Sequence, residues 1–435
     1  MTDLLQQIFL LSSLPSMFEK RLQEASSRMT SIKTALQHSA FKRLWLALAI
    51  SRLGDEFTIL ALIWFILQLT GSGAAIGFVF LCFQSPTIVT SPLIGRLLDR
   101  YQPRWLMSLD NFCRAFIMMG FPVLHWFGLL ELWHVYAMAL LTGALSPATE
   151  VGVPVMIPHL VPRNDLEQAN ASLSMVWEIA TLVGPGIGGI LVKYFGGPLV
   201  VLFDAITFLV MGFVTLSLPR VHVEPTESSP EERGGWSGFI TLFKLKAVRL
   251  LTAFELFLLF VQGFQSVALS VYAERVLGAG AAEYGLLLSA FGMGSVIGLL
   301  SVHHFLARRN QTGMTLAFIL VIFGLLICPL VFLKNFFIAI LFLALAGIFA
   351  APFFPIEQAA VQRLVPVRLR GAVFGARGSL GISGYPLGGA VGGILLDYFP
   401  APIVIGLSSL ACVVGGLAGL FSSTMRRLRR DSEAS

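Results

Sequence analysis

The stretch from Gly95 to Trp105, which reads Gly-Arg-Leu-Leu-Asp-Arg-Tyr-Gln-Pro-Arg-Trp, is a short polar segment between two long apolar runs. It holds one aspartate, Asp99, and three arginines, Arg96, Arg100 and Arg104. An apolar run of about 20 residues is what a helix needs to cross the hydrocarbon core of a bilayer. The stretch therefore predicts a charged loop that joins two membrane spans.

The composition of the 435-residue chain agrees with a bilayer as its solvent. Hydrophobic residues make up 56% of the chain and charged residues 12%, with a mean hydropathy of +0.81. A soluble protein carries about 25% charged residues, so this chain has too few to cover a surface that faces water. Its net charge of +6 fits the basic cytoplasmic loops of a membrane protein. We therefore predict membrane lipid, and no nucleic acid, as a partner.

Twelve apolar segments of spanning length occur along the chain, which predicts an all-α membrane protein with twelve transmembrane helices. The segments are continuously apolar, whereas the strands of a membrane β-barrel alternate over about ten residues. The predicted spans are 43–67, 74–94, 105–127, 132–157, 168–194, 198–218, 249–273, 283–304, 312–333, 335–356, 371–396 and 401–422.

The distribution of Lys and Arg predicts the orientation of these spans. Twenty-five of the 30 lie in the tails and in the loops on one side, or close to them. The other five are Lys193, Arg275 and Lys334 in the opposite loops, and Arg52 and Arg114 within spans. Basic loops stay in the cytoplasm. We therefore expect a multi-pass protein of the cytoplasmic (inner) membrane with both termini in the cytoplasm.

An internal repeat divides the spans into two six-helix bundles. At an offset of 204 residues, Gly-Gly-Ile-Leu at 188–191 recurs at 392–395, and Tyr-Phe at 194–195 recurs at 398–399. Six spans per copy make this a parallel 6+6 repeat. The predicted domains are a cytoplasmic tail (1–42), an N-terminal bundle (43–218), a cytoplasmic linker (219–248), a C-terminal bundle (249–423) and a C-terminal tail (424–435).

Twelve spans, a 6+6 repeat, a central linker and the charged loop after span two together resemble the major facilitator superfamily. The loop signature of that family is Gly-x-x-x-Asp-Arg-x-x-Arg-Arg, and here it reads Gly95, Asp99, Arg100, Pro103 and Arg104, with one basic residue replaced by proline. Glycine permits a tight turn, and an aspartate is stabilised at a helix N-terminus. The resemblance implies a gating contact of this loop with span eleven. The alternative is a simple basic turn.

Span five carries a glycine-rich motif, Gly184-Pro185-Gly186-Ile187-Gly188-Gly189. It also satisfies the pattern GxGxxG of dinucleotide-binding loops, but no strand precedes it and it lies inside an apolar span. Glycines in a membrane helix let another backbone approach closely. The motif resembles the antiporter motif of exporters in the superfamily, although Ala180 replaces an expected glycine. We therefore favour export over import.

The interior of span one contains Arg52, Asp55 and Glu56, at spacings that place both carboxylates near the arginine. Charges inside a span are costly and therefore indicate function. We expect Asp55 or Glu56 to carry the coupling proton; a structural ion pair is the alternative. The run from Ser51 to Asp55 also resembles the macrolide-efflux and enterobactin-exporter branch of drug:proton antiporters.

Further acidic residues lie in other spans of the first bundle. Glu150 and Glu178 are the next candidates for proton coupling, because both are deep enough to reach a central cavity. Asp110 and Arg114, four residues apart in span three, predict a structural ion pair. No metal site and no catalytic site are predicted.

These observations predict a secondary active transporter that works by alternating access as a monomer. The 36 phenylalanines and the few Asn and Gln within spans favour an amphipathic small molecule, such as a drug, macrolide or siderophore, over a sugar. The proton gradient would be the driving force, with no cofactor. No GxxxxGK[ST] motif is present, which argues against an ATP-driven pump, and no GxSxG or HExxH motif, which argues against an enzyme. A lysophospholipid transporter or flippase of the same fold stays open as an alternative.

Overall fold

The computed structural model describes residues 35–98, 100–220, 237–300, 311–366 and 369–428, and every regular element within these ranges is helical. The helices are α1 (Ser39–Thr70), α2 (Gly73–Leu98), α3 (Pro103–Trp126), α4 (Leu132–Leu145), α5 (Pro147–Leu160), α6 (Leu166–Phe195), α7 (Gly197–Leu216), α8 (Ser237–Lys244), α9 (Lys246–Arg275), α10 (Ala281–Leu300), α11 (Thr312–Ile327), α12 (Phe336–Ala350), α13 (Phe353–Leu364), α14 (Arg370–Tyr398), α15 (Ala401–Phe421) and α16 (Ser423–Arg427). Short 3-10 turns cover Arg163–Asp165 and Cys328–Val331.

Ten helical segments within the described ranges are long and apolar enough to cross a membrane. Two of them are pairs of helices in line, α4 with α5 and α12 with α13. Helices α1 and α3 fall outside this set, although they have 32 and 24 residues. They carry the charged residues of spans one and three, which lower their hydropathy.

The fourth predicted span of each half is interrupted at the same place. Helix α4 gives way to α5 at Pro147, and α12 gives way to α13 at Pro352. Proline has no N–H for the helical ladder and its ring clashes with the preceding turn, so each break follows from the sequence. The starts of α6 and α14, and those of α7 and α15, are 204 residues apart, which equals the offset of the sequence repeat.

Several predicted boundaries differ from the structure. Helix α1 begins at Ser39, four residues before the predicted span, and α9 begins at Lys246 rather than at residue 249. The end of the predicted linker forms the short helix α8, and residues 221–236 lie outside the described ranges. Amphipathic ends of helices extend past the hydrocarbon, so hydropathy alone underestimates helix length.

We call α1–α7 the first half and α9–α15 the second half. The two halves meet through α2 against α14 and through α6 against α10. A Cβ atom added to Gly77 would lie 2.4 Å from the carbonyl oxygen of Gly389, and one added to Gly285 would lie 2.2 Å from that of Pro185. Only glycine lets helices approach this closely.

Among the described residues, the close glycine contacts between α2 and α14 lie toward one end. A Cβ added to Gly95, near the C-terminus of α2, or to Gly378, near the N-terminus of α14, would meet no atom within 4 Å. The two helices are therefore packed tightly at the end that carries residues 71–73 and 396–400, which we call the closed end. The opposite end carries residues 217–220 and α16, and we call it the terminal end.

Candidate functional site

A cavity of about 360 Å³ lies between the two halves. We call it the inter-half cavity, and its walls are mainly apolar and aromatic. Helices α1, α2 and α6 form one side, and α9, α10 and α11 form most of the other. The residues that line it include Ile59, Ile63, Phe80, Thr181, Pro185, Leu269, Tyr284, Leu288, Phe291, Phe323 and Tyr385.

Two aromatic pairs join the halves at this cavity. The rings of Trp64 and Tyr284 are stacked with centroids 6.3 Å apart, and those of Phe80 and Tyr385 meet edge to face at 5.5 Å. Each pair takes one ring from each half. Such pairs have preferred geometries and contribute beyond the burial of their surface, so they fix the relative position of α1 with α10 and of α2 with α14.

Three glutamines bring hydrogen-bonding groups to the inter-half cavity. They are Gln84 from α2 and Gln262 and Gln265 from α9. The sequence identified them as uncommon polar residues within spans, but their convergence depends on the packing of two helices from different halves. An apolar pocket with a few polar groups is the usual form of a site for a small molecule.

Glu56 is the carboxylate that lines the inter-half cavity. Its Oε1 accepts a hydrogen bond from Thr181 Oγ1 at 3.4 Å, and none of the ion pairs between described residues includes it. Gly184 of the span-five motif makes room for it, because a Cβ there would lie 2.6 Å from the Cβ of Glu56. The cavity thus holds one acidic group without a cationic partner.

A second cavity, of about 480 Å³, lies within the first half, and we call it the polar chamber. Glu56 and Gln84 line both cavities, so the two adjoin. The charged residues of the polar chamber are Arg52, Asp55, Glu56, Arg114, Glu150 and Asp204. Four carboxylates face two guanidinium groups here, which leaves two acidic groups in excess when all are ionised.

The two arginines of the polar chamber share Asp55. Arg52 Nη1 lies 3.4 Å from Asp55 Oδ2, and Arg114 Nη2 donates to Asp55 Oδ1 at 3.0 Å. Arg52 Nη2 is also 3.7 Å from Glu150 Oε1. The guanidinium of Arg52 stacks at 3.6 Å on the Trp177 ring, a cation–π contact. The local pair expected in span one is thus formed by Asp55 and not by Glu56.

The pair expected between Asp110 and Arg114 is replaced by a different arrangement. Arg114 points to Asp55 on the neighbouring helix α1, whereas Asp110 Oδ2 accepts from Thr149 Oγ1 at 2.5 Å. Asn111 Nδ2 donates to the same hydroxyl at 2.8 Å. The spacing of four residues permits an ion pair along one helix, but each side chain instead contacts a partner on an adjacent helix, Asp55 for Arg114 and Thr149 for Asp110.

The other two candidates for proton coupling occupy different surroundings. Glu150 lines the polar chamber and keeps an exposed side chain beside Arg52. Glu178 is exposed on α6 and lines neither cavity. Asp204, which sequence reasoning did not include among the site residues, is buried in the polar chamber. Asp204 is a single acidic residue in a strongly apolar helix, and this feature of the sequence could have identified it as a site residue.

The glycines of the span-five motif face two different partners. Gly184 and Gly188 pack against α1, at Glu56 and Phe57, whereas Gly189 packs against Ala281 of α10. The backbone N–H of Gly186 donates to Ser289 Oγ of α10 at 2.9 Å. The motif therefore allows α6 to pack closely on both halves beside the inter-half cavity, and α6 remains a continuous helix through Pro185.

A buried ionic cluster also occurs in the second half. Arg377 Nη2 lies 2.6 Å from Glu255 Oε2 and 2.6 Å from Glu357 Oε2. Glu357 and Arg377 are 1% and 4% exposed. One guanidinium with two carboxylates leaves an acidic excess here too. All the charged candidates that sequence reasoning selected for proton coupling lie in the first half.

Hydrogen bonds link the two halves at the closed end. Asp397, in the last turn of α14, accepts from Ser72 Oγ at 2.9 Å and from the backbone N–H of Gly73 at 2.8 Å, at the start of α2. Arg275 donates to the carbonyl oxygen of Gly71. Lys193 Nζ lies 3.1 Å from Glu283 Oε1. Each of these contacts joins one half to the other.

The loop at residues 95–105 differs from its predicted form. Gly95 lies within α2, which continues to Leu98, so the turn does not require this glycine. Arg104 Nη1 donates to the carbonyl oxygen of Leu218, in the same half, at 3.1 Å. Arg100 is exposed, and Asp99 lies outside the described residues. The gating contact of this loop stays a prediction.

Comparisons with known proteins give one consistent family. The model of the Major Facilitator Superfamily matches residues 44–311 and 256–435. The multidrug efflux pump Tap of Mycolicibacterium fortuitum is 25% identical over 390 residues, which cover 86% of this chain and 93% of Tap. The uncharacterized MFS-type transporter YfiS of Bacillus subtilis (strain 168) is 26% identical over 397 residues, which cover 88% of this chain and 92% of YfiS.

Solved structures resemble the fold over most of its length. The nucleoside transporter NupG gives a TM-score of 0.69 at 16% identity and covers 88% of this chain and 98% of its own. A bacterial homologue of the iron transporter ferroportin in an inward-facing state also gives a TM-score of 0.69 at 16% identity, and the match covers 88% of this chain and 99% of that homologue. At these identities the likeness shows a shared fold and does not extend to substrates.

Proposed function

This chain belongs to the major facilitator superfamily, and we propose that it exports amphipathic small molecules across the cytoplasmic membrane in exchange for protons. The family makes it a multi-pass membrane transporter and not an enzyme. The finer features of the proposal are twelve spans as two bundles of six, both termini in the cytoplasm, and alternating access. The domains are those of the sequence repeat, with α1 and α3 as the two additional spans.

The observation that carries the proposal is the inter-half cavity with its single unpaired carboxylate. Apolar and aromatic walls suit an apolar body, three glutamines offer hydrogen bonds, and Glu56 offers a negative charge. An unpaired charge in an apolar cavity is energetically costly, so binding of a ligand with the opposite charge is favoured there. We therefore propose that the preferred substrates are amphipathic and cationic. The efflux function of the Tap relatives supports this direction of transport.

The closed end corresponds to the outer face in this proposal. Lys193 and Arg275 lie at that end, whereas the basic loops lie at the other, and basic loops face the cytoplasm. The structure then represents an inward-facing state, in which the cavity is reached from the cytoplasm. A substrate that binds there would leave on the outer side after the closed end separates.

Proton coupling is proposed from the acidic excess around the cavity. The sequence candidates Asp55 and Glu56 differ in their surroundings, since Asp55 contacts two arginines and Glu56 none. A carboxylate that attracts a substrate cation must lie at the inter-half cavity, which favours Glu56 as the group that contacts the substrate. The driving force is the proton gradient, and no cofactor is needed.

The test is a transport assay with the purified full-length chain in liposomes. An outward-directed substrate flux is driven by an imposed pH gradient, and a fluorescent cationic dye is compared with a labelled lysophospholipid. The proposal expects dye transport that depends on the gradient and stops when an ionophore collapses it. Transport of the lysolipid alone would contradict it in favour of a flippase, and dye transport without any dependence on the gradient would remove the proton from the mechanism.

A further inference from the structure

Asp204, in the middle of α7, is a buried carboxylate with hydroxyl groups as its hydrogen-bonding partners. It is 1% exposed. Thr58 Oγ1 of α1 donates to Asp204 Oδ2 at 2.7 Å, and Thr207 Oγ1 lies 3.1 Å from Asp204 Oδ1. A hydroxyl can donate or accept. The same two partners can therefore serve an ionised and a protonated carboxyl.

The charged groups that face Asp204 come from two neighbouring helices. They are Asp55 of α1 and Arg114 of α3. The guanidinium of Arg114 is engaged by Asp55 at 3.0 Å, and none of the ion pairs between described residues includes Asp204. An isolated ionised carboxylate in such a place is very costly, because burial removes its hydration without supplying a counter-ion.

The backbone around Asp204 leaves space for this side chain. A Cβ added to Gly54 of α1 would lie 2.3 Å from Asp204 Oδ1 and 2.9 Å from Thr207 Oγ1. Glycine at position 54 thus permits the carboxyl to sit between α1 and α7, beside the residue that directly precedes Asp55 and Glu56. The position of Asp204 beside the charged part of α1 is built into the packing of the two helices.

We propose that Asp204 binds the transported proton, while Glu56 contacts the substrate. This inference rests on the proposed proton-coupled function and assigns the proton to a residue outside the inter-half cavity. In the state described, the Asp204 carboxyl is protonated and neutral, and Arg114 is left to Asp55. Release of the proton to the cytoplasmic side leaves a carboxylate that competes with Asp55 for the guanidinium of Arg114.

Through this competition, binding or release of the proton at Asp204 changes the electrostatic surroundings of the substrate. When Arg114 turns from Asp55 to Asp204, Asp55 keeps only Arg52, and the charge around α1 changes. Glu56 is the next residue on that helix and lines both cavities. A change of protonation at Asp204 thus alters the charge near Glu56, which faces the substrate, through side chains in direct contact.

The experiment compares Asp204→Asn with the wild type and with a matched control, Asp110→Asn, in liposomes. Asp110 is buried to 2% exposure and bonded to a threonine hydroxyl, but it does not line the polar chamber. In Asp204→Asn we expect accumulation driven by a pH gradient to fall at least about tenfold, with substrate counterflow retained to within about twofold. Asp110→Asn is expected to keep both activities.

An infrared difference spectrum between low and high pH supplies a second readout. The carboxylic-acid band that disappears at high pH should lose intensity in Asp204→Asn, and the component that is lost is the one assigned to Asp204. If Asp204→Asn does not fold, Thr58→Val serves in its place. Removal of the hydroxyl weakens the charge-assisted bond to the ionised form more than the bond to the neutral form, so the pH midpoint of transport should move to higher pH.

The outcomes separate this inference from the proposed function. Wild-type transport without any response to the pH gradient overturns both. Proton-driven transport that is normal in the wild type and equally strong in Asp204→Asn overturns the assignment of Asp204 and leaves the proposed function standing. An unchanged midpoint in Thr58→Val, or an infrared band of unchanged intensity in Asp204→Asn, also overturns the assignment.

Discussion

Single side chains divide the acidic residues of α1 and its neighbours into two groups. Asp55 contacts two guanidinium groups, whereas Glu56 contacts one hydroxyl and faces the inter-half cavity. Adjacent residues on a helix point in directions about 100° apart, so Asp55 can join the ion pairs of the polar chamber while Glu56 reaches the inter-half cavity. The surroundings of each carboxylate, more than its position in the sequence, indicate its role.

Replacement of Glu56 by glutamine tests its proposed contact with a cationic substrate. The side chain keeps its size and loses its charge. Loss of one charge contact of about 1.4 kcal/mol would weaken binding about tenfold. We expect that loss for a cationic dye, and a much smaller one for a neutral analogue of similar shape. Binding to the purified protein, measured by fluorescence, distinguishes the two.

Glu178→Gln is the matched control for that variant. It changes the same residue type on a neighbouring helix, but Glu178 lines neither cavity. Its affinity for both ligands should equal that of the wild type. An equal loss in both variants would show a general effect of charge, and Glu56 would no longer be assigned to the substrate.

The limits of sequence reasoning are clearest for these residues. The spacing within one helix drew attention to Arg52, Asp55 and Glu56 as candidates, and it suggested Asp110 as the partner of Arg114. The observed partner, Asp55, is 59 residues away, and Thr58 and Asp204 are 146 residues apart. Such pairs depend on which helix faces meet, and hydropathy does not contain that information.

Glycine determines how closely the helices of the two halves approach. Gly77 and Gly389 meet between α2 and α14, and the span-five motif brings α6 against α10. The sequence predicted close packing from the motif in span five, since it has small residues at regular intervals. It did not predict that both of these helix pairs would join one half to the other. Nor did it predict that α2 and α14 would diverge at the terminal end.

Gly77→Ala should open the closed end. A Cβ at that position would lie 2.4 Å from the Gly389 carbonyl oxygen, and overpacking of this kind costs about 1–3 kcal/mol. The helices must separate to relieve it, so the outward-facing state gains population. The rate at which a cysteine placed at Leu396 reacts with a membrane-impermeant thiol reagent from outside measures this, and we expect an increase.

Gly95→Ala provides the comparison on the same helix. A Cβ at Gly95 meets nothing within 4 Å, and alanine favours a helix over glycine by about 1 kcal/mol. This variant should leave the labelling rate as in the wild type. Equal acceleration in both variants would mean that the contact of Gly77 with Gly389 does not hold the closed end together.

At the scale of the whole molecule, the two halves enclose the inter-half cavity and pack closely at the closed end. The all-helical membrane fold followed from hydropathy, since the bilayer imposes the length of each span, whereas ten helical segments among the described residues, and not twelve, are long and apolar enough to cross it. The state of the transporter did not follow from it. The contacts that hold the closed end, at Asp397, Arg275 and Lys193, come from residues that the sequence reading treated as parts of outer loops or as ordinary ends of spans.

Asp397→Asn should shift the balance between the two states. The carboxylate accepts from backbone and hydroxyl groups at the N-terminus of α2, where a negative charge is stabilised. Loss of the carboxylate destabilises the closed form by about 1 kcal/mol, which lowers the population of that form about fivefold. Glu283→Gln, in a more exposed ion pair at the same end, should have a smaller effect, because exposed pairs contribute little. Thiol labelling from outside ranks the variants.

Distances between the halves at both ends test the central claim, which is alternating access around the inter-half cavity. The four native cysteines, Cys82, Cys113, Cys328 and Cys412, are first replaced. Spin labels are then placed at Tyr194 and Tyr398 for the closed end, and at Tyr101 and Phe421 for the terminal end, all of which are exposed. Pulsed electron resonance gives the distance distributions in liposomes with and without substrate and at two pH values. We expect the closed-end distance to lengthen while the terminal-end distance shortens, in the same fraction of molecules. Transport that continues while both distances stay fixed, or while both ends open together, would contradict it.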